Sequence, residues 1–333
     1  MRNYIIKRLL NILIMLFAVS IIIFLLVRFI PGDPARTMAG EHASKEILEE
    51  MRKKWGLDKP VWEQYIIWLK YAIRGDFGRS IMTHESVLTE IMQRFPNTLE
   101  LSIFAMLFAS SFGILAGVIS AIKRYTVFDY TVMFIALFGV SMPIFWLAIM
   151  LVLLFSIKLN LLPTGGRLSV FYSIKPITHL YLIDSLITLN FGAFFDALKH
   201  LILPSIALGT IPMAFIARIT RSSMLNVISQ DYIRTARAKG LPEKTVIVKH
   251  ALRNALIPIL TSAGTEFAML MGGAVLTETI FYWPGLGTYI VQAVNARDYP
   301  AIQGAVIFVA FVVAIVNLIV DVLYAYIDPR IHY

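Results

Sequence analysis

The residues best placed for chemistry in this sequence favour contact over bond making. Asp231-Tyr-Ile-Arg-Thr-Ala-Arg-Ala-Lys-Gly240-Leu-Pro-Glu243 is a basic, Ala-rich patch between two apolar segments, each long enough to cross a membrane. Asp231 stands in the first turn of a predicted helix, with Arg237 and Lys239 in its last, as the helix dipole favours. Gly240 follows as a natural C′ residue, free to take positive φ. Pro242 and Glu243 suit the first turn of a second helix, predicted to run to about Arg253. Between the helices stand Ala236, Ala238 and Gly240, small enough to admit a partner's backbone. The Arg and Lys beside them complement acidic groups. A plain linker has no need of two capped helices in so short a stretch.

A second candidate lies inside an apolar run. Glu266 falls near the middle of Ala255–Ile280. An ionisable group at that depth costs a few kcal/mol (~3 on insertion scales) and normally turns toward the bundle or a water-filled path. Met269 and Gly273 follow on roughly the same helical face. A translocation path along that face and a structural hydrogen bond from Glu266 to Ser or Thr of a neighbouring helix are both open. Asp321 with Asn317 in the last apolar run reads as a structural pair, and Gly113-x-x-x-Gly117 as a close-packing face.

Bond-making signatures are missing. There is no G-x-x-x-x-G-K-[ST] phosphate loop and no H-E-x-x-H. Gly139-Val-Ser141-Met-Pro143 fails the G-x-S-x-G pattern because Pro stands at the second Gly. His42, His84, His179, His200, His250 and His332 have no metal-ligand spacing, and Gly285-Leu-Gly287 lacks the third glycine of a dinucleotide site. The expectation is no enzyme and no cofactor. With zero cysteines there is no disulfide framework and no thiolate metal site.

The elements that position these residues belong to a membrane. The chain is 58% hydrophobic and 15% charged, with a mean hydropathy of +0.73; a soluble domain averages about 25% charged. Six apolar runs read as spans: Leu9–Val27, Leu101–Ile122, Tyr130–Ile157 with a tilt or kink at Pro143, Leu201–Ile219, Ala255–Ile280 and Ile302–Ala325. Tyr181–Phe195, interrupted by Asp184 and Asn190, reads as interfacial or re-entrant. The first run carries Arg2, Lys7 and Arg8 like a signal peptide. It is longer than a typical signal core and no small-x-small site follows, so it reads as a retained helix.

Six crossings put both termini on one side, and charge selects it. Arg2, Lys7, Arg8, Lys123, Arg124 and the Lys and Arg of Arg218–Arg253 fall together, which makes that side cytoplasmic. The net charge of +9 is mostly this asymmetry, and anionic lipid explains it more simply than nucleic acid. The external segment 31–97 balances its charges. Ser44–Trp55 is predicted to be a helix ended by Gly56, and Trp55, Trp62, Tyr65, Trp68 and Tyr71 follow at loosely helical spacing. Those aromatics read as a packed subdomain, as a belt at the headgroups, or as a docking surface for an external partner. The division is therefore 1–30 (N-terminus and first span), 31–97 (external subdomain), 98–327 (five-span core with an inner loop at 221–254) and 328–333 (tail).

The inner hairpin resembles the coupling loop of ABC-importer permeases. The family pattern is E-A-A, three residues, Gly, nine residues, I-x-L-P. Here Arg234, Thr235 and Ala236 hold the first places, Gly240 the Gly place, and His250-Ala-Leu-Arg253 replaces the last. That departure is typical of the peptide branch, whose B-type permease this chain resembles over nearly its whole length. The likeness includes Ile30-Pro-Gly-Asp-Pro34, Gly75-Asp-Phe-Gly78, Ser141-Met-Pro-Ile-Phe-Trp146, Arg218-Ile-Thr-Arg-Ser-Ser-Met224, Leu276-Thr-Glu-Thr-Ile-Phe281, Trp283-Pro-Gly-Leu-Gly287, Arg297-Asp-Tyr-Pro300 and Asp328-Pro-Arg330. Ser169–Asn190 looks most like the dipeptide type; glutathione, nickel and oligopeptide types share most of the rest.

The resemblance implies an all-α membrane protein, six helices of the type I importer kind with a small external subdomain, in a bacterial or archaeal cytoplasmic membrane. It implies a second homologous permease, two ATPases, an external peptide-binding protein and a peptide cargo. Arg234, Thr235, Ala236, Gly240, Leu241 and Pro242 would then meet the ATPase, and Glu266 would be placed to meet a peptide ammonium. A self-sufficient secondary transporter is the alternative, but the symmetric broken helices it predicts are not found.

Overall fold

Lipid offers no partner for backbone N–H and C=O groups, so apolar runs must satisfy them within helices. The computed structural model describes residues 2–29, 44–54 and 58–327. Among these it is helical nearly throughout, and its only β pairing is an isolated bridge between Arg79 and Ser86. The motifs Ile30–Pro34 and Asp328–Arg330, the residues Trp55 and Gly56, and the tail 328–333 lie outside the described residues.

Among the described residues five helices are long and apolar enough to cross a membrane. They are α1 (Arg2–Phe29), α4 (Val87–Ile122), α8 (Phe191–Ile228), α11 (Arg253–Gly273, with the turns that precede it) and α14 (Tyr299–Ile327). A bent pair of helices supplies the sixth candidate span. Helices α5 (Val127–Ser141) and α6 (Ile144–Leu151), the latter extended by a π-helical turn at Val152–Lys158, meet at 104°. Pro143 causes the break. It donates no N–H and drives Met142 out of the helical region, to φ −83 and ψ 133. The sequence predicts a tilt or kink there, and the structure has a corner.

Two shorter readings are refined. Ala255–Ile280 is not one helix, because Ala274 sits at φ −74, ψ 2 and separates α11 from α12 (Val275–Ile280). Tyr181–Phe195 splits into the seven-residue α7 (Tyr181–Ile187), too short to cross, and the first turn of α8, whose Asn190 side chain accepts from Ala193 N at 3.1 Å. Outside the spans are α2 (Lys45–Lys54), beginning just after Ser44, then α3 (Val61–Ala72), α9 (Asp231–Ala238) and α13 (Leu286–Asn295), while α10 (Glu243–Thr245) is the first turn leading into the fifth.

Contacts divide the described residues into two units. One comprises those of 1–98 with 284–314. Its core joins Ile23, Val27, Val87, Ile91, Tyr289 and Ile302. Asp298 accepts there from Ser80 Oγ at 2.6 Å and Ile81 N at 2.8 Å, and the Tyr289 hydroxyl donates to Glu90 at 2.8 Å. The other unit comprises 99–283 with the described residues from 315 onward, and α8 is its axis. In α8 72% of the apolar window is buried, against 6–28% in the other four long helices.

Glycine lets α4 reach α8. A Cβ on Gly113 would stand 2.7 Å from Met213 O, one on Gly117 2.5 Å from Ala217 O, and one on Gly209 2.5 Å from Ala105 O. The seam is the small-x-x-x-small contact read from the sequence, extended by Gly209 from the partner helix.

Candidate functional site

The hairpin forms because its apolar residues have a core to enter. Ile233 and Ala236, three residues apart on α9, are buried against Val246, Ile247, Ala251, Ala255 and Ile259. The opposite face leaves Arg234, Thr235, Lys239, Gly240, Leu241 and Pro242 exposed. Ala236 thus turns inward and belongs to the hairpin's footing rather than to its outer surface. Gly240 has φ +73, with open space where a Cβ would point. Leu241 N donates to Ala236 O at 3.4 Å and Gly240 N to Arg237 O at 2.9 Å, which closes the helix end. Two ion pairs complete the corner. Arg237 engages Glu243 with both Nη2–Oε1 at 2.6 Å and Nε–Oε2 at 3.1 Å, and Arg234 reaches Asp231 at 3.3 Å. Arg237 is therefore committed within the hairpin, whereas Lys239 is an exposed cation at its tip.

The second arm differs from expectation. No helix ends near Arg253; α10 runs through a π-helical turn at Val246–Leu252 directly into α11. Its inward residues Ile247, Ala251, Ala255 and Ile259 recur every four positions, more than the 3.6 of an α-helix, and the wider turn absorbs part of that drift. The hairpin is thus joined to the fifth span without a break.

That span carries a groove. Ile257, Pro258, Thr261, Ser262, Thr265 and Glu266 of α11, with Ile219 of α8, line an open space of about 480 Å³. Thr261 and Thr265 hydroxyls donate to Ile257 O and Thr261 O at 3.0 and 3.1 Å, so they are held by their own helix. Among the described residues no group bonds or pairs with the Glu266 carboxylate, which is half-buried at the groove. Met269 is 61% exposed one turn on, outside the groove lining, and Gly273 is the last residue of α11. Of Glu266 and Met269, only Glu266 lines the groove. There is room and one acid for a cation or ammonium.

The family described as "Binding-protein-dependent transport system inner membrane component" matches residues 113–333, and its N-terminal counterpart matches 1–102. The chain belongs to this family of transport permeases. It is 49% identical to the di/tripeptide transport system permease of Pseudomonas aeruginosa, covering 100% of this chain and 99% of the relative. It is 50% identical to the dipeptide transport system permease of Alkalihalophilus pseudofirmus, with both chains covered in full. The glutathione transport system permease of Escherichia coli is 42% identical, again over both whole chains. This permease is accordingly a multi-pass membrane component of a transport system and not an enzyme.

Three polar constellations of the permease escaped sequence reading; two of them join residues far apart in the chain, and the third is a local cap inside an irregular segment. Arg221 of α8 grips Asp129 of α5 at 2.8 Å (Nε–Oδ1) and 2.7 Å (Nη2–Oδ2). Ser120 of α4 and the Tyr125 amide also donate to Asp129, so three spans are tied at one end. The signals available were Thr126-x-x-Asp129, a capping pattern, and Arg221 within the Arg218–Met224 motif.

Arg167, in the segment between α6 and α7, bonds Glu100 of α4 at 2.6 Å, both buried. It also donates to His179 O at 3.0 Å and stacks 3.7 Å above the Tyr181 ring. Asp184 of α7 accepts from Thr178 Oγ1 and N at 2.7 and 2.8 Å and from Ile177 N at 3.1 Å. Burial opposes its ionisation, but these bonds outweigh burial and hold the carboxyl below its ordinary range.

Proposed function

We propose that this permease is one of two membrane subunits of an ATP-driven importer of dipeptides and short oligopeptides. The observation that carries the reading is the unpaired Glu266 carboxylate at an open groove in an otherwise apolar span. A peptide arrives as a zwitterion, and its ammonium group matches that acid. Relatives named for dipeptide transport at 49–50% identity support the cargo class. With no phosphate loop in the chain, the energy must come from separate ATPase subunits. An external binding protein delivers the cargo, and a second permease completes the path.

In this reading the hairpin within 221–254 is the ATPase contact. Arg234, Thr235, Gly240, Leu241 and Pro242 offer the surface, and Ala236 holds it from beneath. The face of Glu266, Met269 and Gly273 lines the route. Both termini are cytoplasmic and 31–97 is external, within the division 1–30, 31–97, 98–327 and 328–333. The deciding experiment is uptake by the assembled complex in vesicles, competed with di-, tri- and tetrapeptides, glutathione and nickel chelates. Competition by dipeptides and short peptides is expected. Competition by glutathione alone would favour a second reading, which the 42% identity to a glutathione permease supports. Competition by neither would overturn the cargo assignment.

A further inference from the structure

Helix α3 has two apolar faces, and its contacts account for one. That face packs on α1. Tyr65 lies between Phe17 and Phe24, with ring centroids at 6.4 and 5.1 Å, and its hydroxyl bonds Ser20 Oγ at 2.8 Å. Trp68 stands 5.5 Å from Phe24. Arg28 Nη2 donates to Gln64 Oε1 at 2.6 Å. The other face is a stripe of Trp62, Ile66, Leu69 and Ile73, at helical spacing. Trp62, Ile66 and Ile73 are 65%, 55% and 77% exposed. Glu63 and Lys70 flank the stripe, roughly 70–90° round the helix from its centre, while Gln64 faces Arg28 of α1.

Depth says what covers it. Phe24 and Ser20 lie four and eight residues inside Arg28, or ~6 and ~12 Å along α1 at 1.5 Å per residue. The α1 run from about Leu9 to Val27 is the apolar span itself, so α3 crosses it below the level of Arg28. An interfacial helix rests with its apolar face ~5–10 Å into the headgroup–acyl boundary, which is the depth these contacts impose. At that level the stripe meets acyl chains rather than water.

We propose that α3 is an interfacial helix embedded in the leaflet at the Arg28 end of α1. Trp62, Ile66 and Ile73 lie among the acyl chains, and Glu63 and Lys70 turn toward the headgroups. The proposal rests on α1 spanning the membrane and is independent of the cargo. The chain has no cysteine, so nitroxide labels can be placed singly in this subunit of the assembled complex in vesicles, once any cysteines of its partners are replaced. The sites are Trp62→Cys, Ile66→Cys and Ile73→Cys on the stripe, Glu63→Cys and Lys70→Cys on its polar flank, and Leu13→Cys within α1.

The expected result is that collision with a water-soluble nickel chelate falls severalfold at 62, 66 and 73 relative to 63 and 70. Collision with oxygen rises in step. Equal nickel access at 66 and 70, with position 13 still protected, overturns the proposal while leaving the span intact. Nickel access at 66 and 73 that is lost on adding the external binding protein also overturns it, in favour of a protein-docking face. Nickel access at position 13 removes the premise that α1 spans, and the depth argument with it.

Discussion

Substituting Gly240 tests the hairpin most directly. The residue has φ +73, and no atom lies within 4 Å of a built Cβ. An added side chain therefore costs backbone strain but no clash within the chain. Left-handed backbone costs an L-residue about 1–2 kcal/mol. That reduces the cornered form about 5–30-fold relative to any relaxed alternative. The Arg237–Glu243 pair across the corner is exposed on both sides (41% and 55%) and offsets at most about 1 kcal/mol of this.

Gly240→Val combines strain with bulk, whereas Gly240→Asn adds bulk with little strain, since Asn tolerates the left-handed region. Both variants should insert and assemble, because the corner packs against nothing in its own chain. In the full complex, Gly240→Val should lose most substrate-stimulated ATPase activity. Equal loss in Gly240→Asn would assign the effect to bulk at a docked surface; retention there would assign it to helix-end geometry. Full stimulation in Gly240→Val, with normal assembly, would refute the coupling role.

Four further outcomes are expected. Glu266→Gln keeps shape but removes charge, and should lower peptide uptake with assembly intact; unchanged uptake would make the acid structural, and lost assembly would place it in packing. Gly117→Leu drives a Cβ to 2.5 Å from Ala217 O and should destabilise by about 1–3 kcal/mol, seen as a lower Tm in detergent; an unchanged Tm would mean that the seam is open. The Asp184 carboxyl is held below its ordinary value, so its stabilisation is complete above the unfolded pKa of about 3.9 and is lost as pH falls toward the folded value. Asp184→Asn should flatten the stability profile below about pH 4, and an unaltered acid limb would remove Asp184 as its cause. For topology, a cysteine at the exposed Glu49 should label from outside without permeabilisation; labelling only after permeabilisation would overturn an external 31–97.

Much of this architecture was written in the chain itself. Apolar length alone located six candidate spans, since a bilayer admits only backbone that pairs with itself. Proline located the break at Pro143, though not its 104°, because the angle depends on what each half packs against. Glycine and charge order marked the hairpin: a C′ glycine and dipole-matched ends are local properties, and the left-handed Gly240 followed from them. Local rules also erred in local ways. Nothing near Arg253 stops a helix, so the second arm ran on into the fifth span, and Ala274 broke a run that composition read as continuous.

What sequence could not supply was facing and partnership. A small residue at a corner reads the same whether it points out or in, and only the pocket formed by Val246, Ile247 and Ala251 turned Ala236 inward. Nothing near Asp129 in the chain names its partner; α8 brings Arg221 to it across 92 residues. Glu266 was legible as costly, because burying an acid in hydrocarbon is costly in any fold. That it has a groove beside it and no partner among the described residues was decided by the packing of α8 on α11, since side-chain partnership is settled only when helices distant in sequence meet.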